Sequence, residues 1–296
     1  MLTVERLTKR FAGGKGIEDV SFQVEKGEVF GFLGPNGAGK STTIRHILGF
    51  MKPDAGRVTV QGMDSWQHQG QLQRVLGYLP GEIAFPEGMN GKAFLDFMAE
   101  LQGCGNMARR GELIDRLQFD ARTPIRKMSK GMKQKVGIVA AFMHAPPLII
   151  LDEPTSGLDP LMQKVFIDLV LEEKARGTTF LMSSHSFAEI ERTCDRAAII
   201  KQGRIVAVKD IHELQSMQRK IFEVTFVNEA DAHAFAAARG DEAEIRKGHT
   251  VRVAVQGDYN AFLASILPYP VRNIDVFAQN LEDIFMNYYD QSEVLA

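Results

Sequence analysis

The segment Gly34-Pro35-Asn36-Gly37-Ala38-Gly39-Lys40-Ser41 constrains this chain more than any other. It follows the apolar run Val29-Phe30-Gly31-Phe32-Leu33 and precedes Thr42-Thr43-Ile44. The pattern reads as a strand, a glycine-rich turn and the first turns of a helix. Glycines let the backbone N–H groups converge on one point, and a helix N-terminus favours an anion there. In the spacing G-x-x-x-x-G-K-[ST] the lysine reaches β- and γ-phosphates and the hydroxyl meets Mg²⁺. Those tasks fall to Lys40 and Ser41, with the loop from Gly34 to Thr42 as the phosphate cradle. A chain built this way binds a nucleoside triphosphate.

With 296 residues, room exists for one large domain and a small one. A net charge of -2 gives no general attraction to nucleic acid or to anionic membranes. The two cysteines, Cys104 and Cys194, have neither metal-ligand spacing nor a disulfide framework, which suits a reducing cytosol, and packing accounts for both. The N-terminus lacks the apolar core of a signal peptide. No apolar stretch approaches the ~20 residues needed to span a bilayer. The longest, around Val136-Met143 and Leu148-Leu151, are parted by Pro146-Pro147.

Alternating apolar residues predict strands at 2–7 and 17–24, with a loop between them. Further strands are expected at 57–60 and 75–79, with a helical stretch at 67–74 and Trp66 packed just before it. Phe94, Leu95, Phe97, Met98 and Leu101 recur at helical spacing, as do Leu113, Ile114 and Leu117, so 89–119 reads as helices with a core stripe. Strand, helix and strand return at 148–151, 161–176 and 178–182. That alternation argues for a mostly parallel sheet between helices. It ends around Ile205-Val206-Ala207, and 210–219 reads as a closing helix. Beyond it, strand, helix, hairpin, helix and strand from 220 to 278 give the order β-α-β-β-α-β of a small ferredoxin-like α+β unit. A last amphipathic helix is expected at 281–289. The domains are therefore 1–218, with a helical part at about 85–145, and 219–296.

Leu148-Ile149-Ile150-Leu151 runs into Asp152-Glu153. At the carboxyl end of a parallel strand beside the phosphate loop, Asp152 is placed to hold Mg²⁺ and Glu153 to polarise the attacking water. Met128-Ser129-Lys130-Gly131-Met132 precedes that strand and resembles the Leu-Ser-Gly-Gly-Gln signature of ATP-binding cassette (ABC) ATPases. Ser129 and Gly131 keep the pattern, while Met128, Lys130 and Met132 depart from it. The resemblance implies that this segment closes on nucleotide held by a second subunit. Ser156-Gly157-Leu158-Asp159 is similar to the family's D-loop, which couples the two sites. Likewise His185 matches the switch histidine at the γ-phosphate, and Phe11 stands where the family stacks an aromatic on adenine.

One position departs from the family. A glutamine that ligates Mg²⁺ is expected after Gly77-Tyr78-Leu79-Pro80, where this chain has Gly81 and then Glu82. Either Glu82 serves near the metal or a water replaces the amide.

The small C-terminal domain resembles that of drug and antibiotic exporters, where packing and dimerisation are its plainer role and regulation the alternative. In sum, the resemblance implies a P-loop NTPase of ABC type, with ATP and Mg²⁺ as cofactors. It further implies a homodimer around two ATP, separate membrane permease subunits, no nucleic acid partner, and a place on the cytoplasmic face of the membrane. The other reading is an ABC ATPase acting on nucleic acid, ribosomes or a protein assembly. Such proteins usually carry coiled-coil insertions, paired cassettes or basic arms, none of which this sequence has.

Overall fold

The computed structural model describes residues 1–103, 107–217, 220–255 and 259–278. Cys104 and the helix expected at 281–289 lie outside the described residues. By internal packing the chain divides into two compact units, 1–211 and 212–296.

The first unit opens with β1 (Leu2–Arg10), β2 (Gly16–Val24) and β3 (Val29–Leu33), then α1 (Lys40–Ile47). Next come β4 (Ala55–Val60), the two-residue β5 (Met63–Asp64), the single turn α2 (Gln69–Leu72) and β6 (Leu76–Leu79). Three helices follow: α3 (Gly91–Leu101), α4 (Met107–Leu117) and α5 (Lys130–Phe142). The unit closes through β7 (Leu148–Asp152), α6 (Pro160–Ala175), β8 (Thr179–Ser184), α7 (Phe187–Thr193), β9 (Arg196–Lys201) and β10 (Arg204–Asp210). Helix α8 (Ile211–Met217) begins at the division, where the Ile211 N–H still donates to the Asp195 carbonyl (2.8 Å).

A six-stranded sheet in the order β10-β9-β3-β8-β7-β6 forms the centre of this unit. All its pairings are parallel except that of β10 with β9. Every residue of β3 and β7 is buried, as expected for strands covered on both faces. A second, antiparallel sheet, β2-β1-β4-β5, packs on the first and shares its core. There Phe22 stacks on Phe30 with centroids 5.2 Å apart, and Ile44 and Ile47 of α1 join them. Register aligns Leu33 with Ser184, and Asp152 with Ser183. The carboxyl ends of β3, β7 and β8 therefore lie side by side, at the edge where open α/β sheets bind ligands.

Several expectations need correction. The helical stretch at 67–74 is one turn, with Gly70 inside it and no side-chain cap. Trp66 is not a core residue, since 38% of its surface is exposed. On α3 the apolar stripe is core only at Phe94 and Leu95, while Phe97 and Leu101 are 40% and 63% exposed. The alternation of strand and helix ends where expected, at β10, after passing through α7 and β9, for which no ranges were expected.

The second unit contains β11 (Lys220–Phe226), α9 (Glu229–Arg239), β12 (Ala243–Lys247), β13 (Thr250–Val255), α10 (Tyr259–Ile266) and β14 (Val271–Ala278). Its antiparallel sheet has the order β12-β13-β11-β14. Phe222, Val224 and Phe226 alternate inward on β11 and meet Phe235 of α9 and Phe262 of α10. The fold is thus an α/β nucleotide-binding unit with helical insertion, followed by a ferredoxin-like α+β unit.

Candidate active site

The loop between β3 and α1 depends on its glycines. Gly39 has φ 113°, and a Cβ there would stand 2.6 Å from Ile17 Cγ2. Gly34 has no room for one either, with the Ile200 carbonyl oxygen 2.4 Å from where it would be. Ala38 instead turns its methyl into the core. No side chain caps α1, so its first N–H groups are left for an anion. Lys40 is buried, and its Nζ donates to the carbonyls of Gly34 (2.6 Å) and Pro35 (3.3 Å).

Opposite the loop, the buried Asp152 ends β7. Its Oδ2 accepts from Ser41 Oγ (3.1 Å), and its Oδ1 accepts from Ser183 Oγ. Glu153 turns sharply, with φ 51°, in a left-handed conformation uncommon for a residue other than glycine. Its N–H donates to the Ser183 carbonyl (3.1 Å), which fixes the turn against β8. The Glu153 carboxylate is shared between two partners. Oε2 lies 2.5 Å from His185 Nδ1, and Oε1, which makes no hydrogen bond, lies 3.5 Å from Lys40 Nζ.

These groups line a cleft of about 810 Å³ with Phe11, Pro35, Asn36, Gly37, Thr42 and Glu82. Phe11 lines the cleft and is 40% exposed. The structure therefore brings the loop, Ser41, Asp152, Glu153, His185 and Phe11 to one place. It also adds residues the sequence reading missed, among them Tyr78 and Arg45. Burial, with help from the Asp152 charge and against that of Arg45, pushes the Tyr78 phenol up to about 12, so it stays a proton donor. The signal for Tyr78 was its place near the carboxyl end of β6, next to β7.

A Cβ at Gly81 would stand 3.6 Å from Asp152 Oδ2. The position where the family carries glutamine thus points at the Asp152 carboxylate. Glu82, one residue on, is exposed, and no cluster of three acidic, His or Cys ligands occurs among the described residues. Ser41 and Asp152 supply a pair of oxygen donors of the kind that suits a hard cation such as Mg²⁺.

Ser129, Gly131 and Asp159 do not line the cleft. Ser129 caps α5, its Oγ accepting from the Met132 N–H (3.2 Å), and Asp159 caps α6 through the Met162 N–H (3.0 Å). A Cβ on Gly131 would meet the Gly157 carbonyl at 2.6 Å, and Lys130 Nζ donates to Ser156 Oγ (2.8 Å). The start of α5 and the 154–159 turn are therefore packed together.

A parallel sheet with a glycine loop after its central strand, and an Asp-Glu pair and a histidine on the neighbouring strands, defines a P-loop ATPase. Residues 17–156 match the family model described as ABC transporter. The linearmycin resistance ATP-binding protein LnrL of Bacillus subtilis (strain 168) is 35% identical over 213 residues, covering 70% of this chain and 68% of that protein. The bacitracin transport ATP-binding protein BcrA of Bacillus licheniformis is 31% identical over 289 residues, covering 95% and 94%. A solved ATP-binding subunit of an ABC transporter superposes with TM-score 0.67 at 34% identity, over 73% of this chain and 92% of that one. The cassette MJ0796, solved as a dimer with ADP and Pi, shares the fold at 20% identity, over 71% of this chain and 99% of that one, with TM-score 0.65. The chain belongs to the ATP-binding subunits of ABC transporters, a family of ATPases.

Proposed function

We propose that two copies of this chain enclose two ATP molecules and that Glu153-assisted hydrolysis reopens the pair, driving export through separate membrane subunits. The observation that carries this reading is the convergence of Lys40, Ser41, Asp152, Glu153 and His185 from three segments on one cleft. Lys40 neutralises phosphate charge from within the loop, and the N–H groups at the start of α1 bind phosphate oxygens. Mg²⁺, held by Ser41 and Asp152, would neutralise developing charge on the phosphates when bound. Glu153 accepts the proton of the attacking water, with His185 holding its other oxygen in line. Phe11 takes the adenine face, and Ser129 and Gly131 of the opposite copy complete each site.

Drug export is supported by the likeness, over nearly the full length of both chains, to a protein named for bacitracin transport. Among the described residues no helix is long and apolar enough to cross a membrane, so the transport path belongs to other subunits. Exposed Phe97 and Leu101 on α3 offer apolar surface for those subunits, close in sequence to the Gly81 loop. On this reading the protein works at the cytoplasmic face of the membrane.

The test is hydrolysis by Glu153→Gln. Loss of the general base lowers kcat by roughly 10²–10⁴-fold while ATP still binds. A native rate in that variant would overturn the assignment of the base.

A further inference from the structure

His185 is the first residue after β8, and what holds it in place lies one step behind the cleft. Ser184, the last residue of β8, donates from Oγ to Glu189 Oε2 (2.6 Å). The same Oγ accepts from the Ser186 N–H (2.9 Å), so one hydroxyl bridges the two sides of the His185 turn. Glu189 stands on the first turn of α7 and is only 6% exposed. Its Oε1 finds no hydrogen-bond partner of ordinary geometry.

A buried carboxylate satisfied on one oxygen is costly to retain, and the phosphate-binding groups leave it no task. Burial pushes this carboxyl above its ordinary value, the Ser184 and Thr155 hydroxyls draw it back, Glu153 raises it further and His185 lowers it. Glu189 is thus within the electrostatic reach of both residues of the hydrolytic pair. The bonds form one relay, from Glu189 to Ser184 Oγ, to the Ser186 N–H, across the turn to His185, and to Glu153 Oε2.

We propose that Glu189 is a positioning residue that, through Ser184, sets the 184–186 turn and so holds the His185 imidazole against Glu153. It does not line the cleft and acts through the turn that carries His185. Only hydrogen-bond acceptance by its side chain is required, so an amide of the same shape replaces it. This rests on the reading of Glu153 and His185 as the hydrolytic pair.

The test is ATP hydrolysis by Glu189→Ala, Ser184→Ala, their double variant and Glu189→Gln, with Glu153→Gln as the reference. Nucleotide affinity is measured separately by equilibrium titration. Losing one positioning hydrogen bond lowers kcat about tenfold in either alanine variant, with ATP affinity unchanged. Because both side chains form the same bond, the double variant falls no further than the worse single one. Glu189→Gln restores kcat to within about threefold, since an amide oxygen also accepts from Ser184. Should Glu189→Ala fail to fold, Ser184→Ala and Glu189→Gln decide the matter.

Native kcat in the alanine variants while Glu153→Gln is inactive overturns the positioning role alone. So do additive losses, or no rescue by glutamine. Native hydrolysis in Glu153→Gln instead overturns the reading of the pair on which the proposal rests.

Discussion

Glu153 sits between an ammonium and an imidazole on a backbone turn that most residues avoid. Its carboxylate oxygen Oε1 makes no hydrogen bond and is buried facing Lys40 Nζ at 3.5 Å. Gly39 carries the opposite wall. Gly39→Ala forces a methyl into Ile17 at a φ hostile to L-residues, so ATP affinity in equilibrium titration should fall at least tenfold. An affinity within twofold of native would show that the loop tolerates the strain.

Two histidines set an acid limit at the same scale. Burial holds His46 and His144 below the ordinary 6.5. Between the lowered value and 6.5 the unfolded chain binds protons that the folded chain refuses. Their contribution is therefore complete above pH 6.5 and is lost as pH falls through the folded value. Glu28 and Glu189 act oppositely, because their raised carboxyls favour the folded state as pH falls towards 4.5. The test is Tm against pH, in which His46→Gln with His144→Gln should flatten the drop below pH 6.5. An unchanged slope would remove both histidines from the acid response.

Between elements, β6 and α5 pack too closely for any side chain at Gly77. A Cβ on Gly77 would stand 2.3 Å from the Ala141 carbonyl oxygen, which is backbone and cannot rotate away. Gly77→Ala should therefore cost about 1–3 kcal/mol and lower Tm by several degrees. It should also weaken ATP-driven closure, because α5 begins at the Ser129 cap. A variant with native Tm would show that the helix can retreat freely.

The phosphate loop and Asp152-Glu153 were legible because a buried parallel strand is a continuous apolar run and its first polar residues mark the ligand edge. In the second unit the alternation of Phe222, Val224 and Phe226 gave β11 and its partners. Ser183, Tyr78 and Glu189 were not legible, since a single polar residue near an apolar strand carries no period. Helix α7 was missed because seven residues are too short to show a stripe, and β9 because its apolar run, Ala197 to Ile200, is only four residues long. Phe97 and Leu101 misled because helical spacing reports an apolar face without saying what covers it.

For the whole molecule, the proposed cycle makes this cleft one half of a site; Ser129 and Asp159, the caps of α5 and α6, do not line it, while their neighbours Lys130 and Ser156 do. Ser129 and Gly131 do not line the 810 Å³ cleft that holds Lys40 and Glu153, and under the proposed cycle a second copy brings its own Ser129 segment to the nucleotide. ATP can close such a pair only by binding the closed form better than the open one, and hydrolysis removes that difference. The most direct measurement is light scattering after size-exclusion chromatography on Glu153→Gln, with and without Mg-ATP. A monomer should become a dimer on adding Mg-ATP, with the shift abolished by Ser129→Arg. A mass unchanged by Mg-ATP, or a dimer that survives Ser129→Arg, would contradict the proposed cycle.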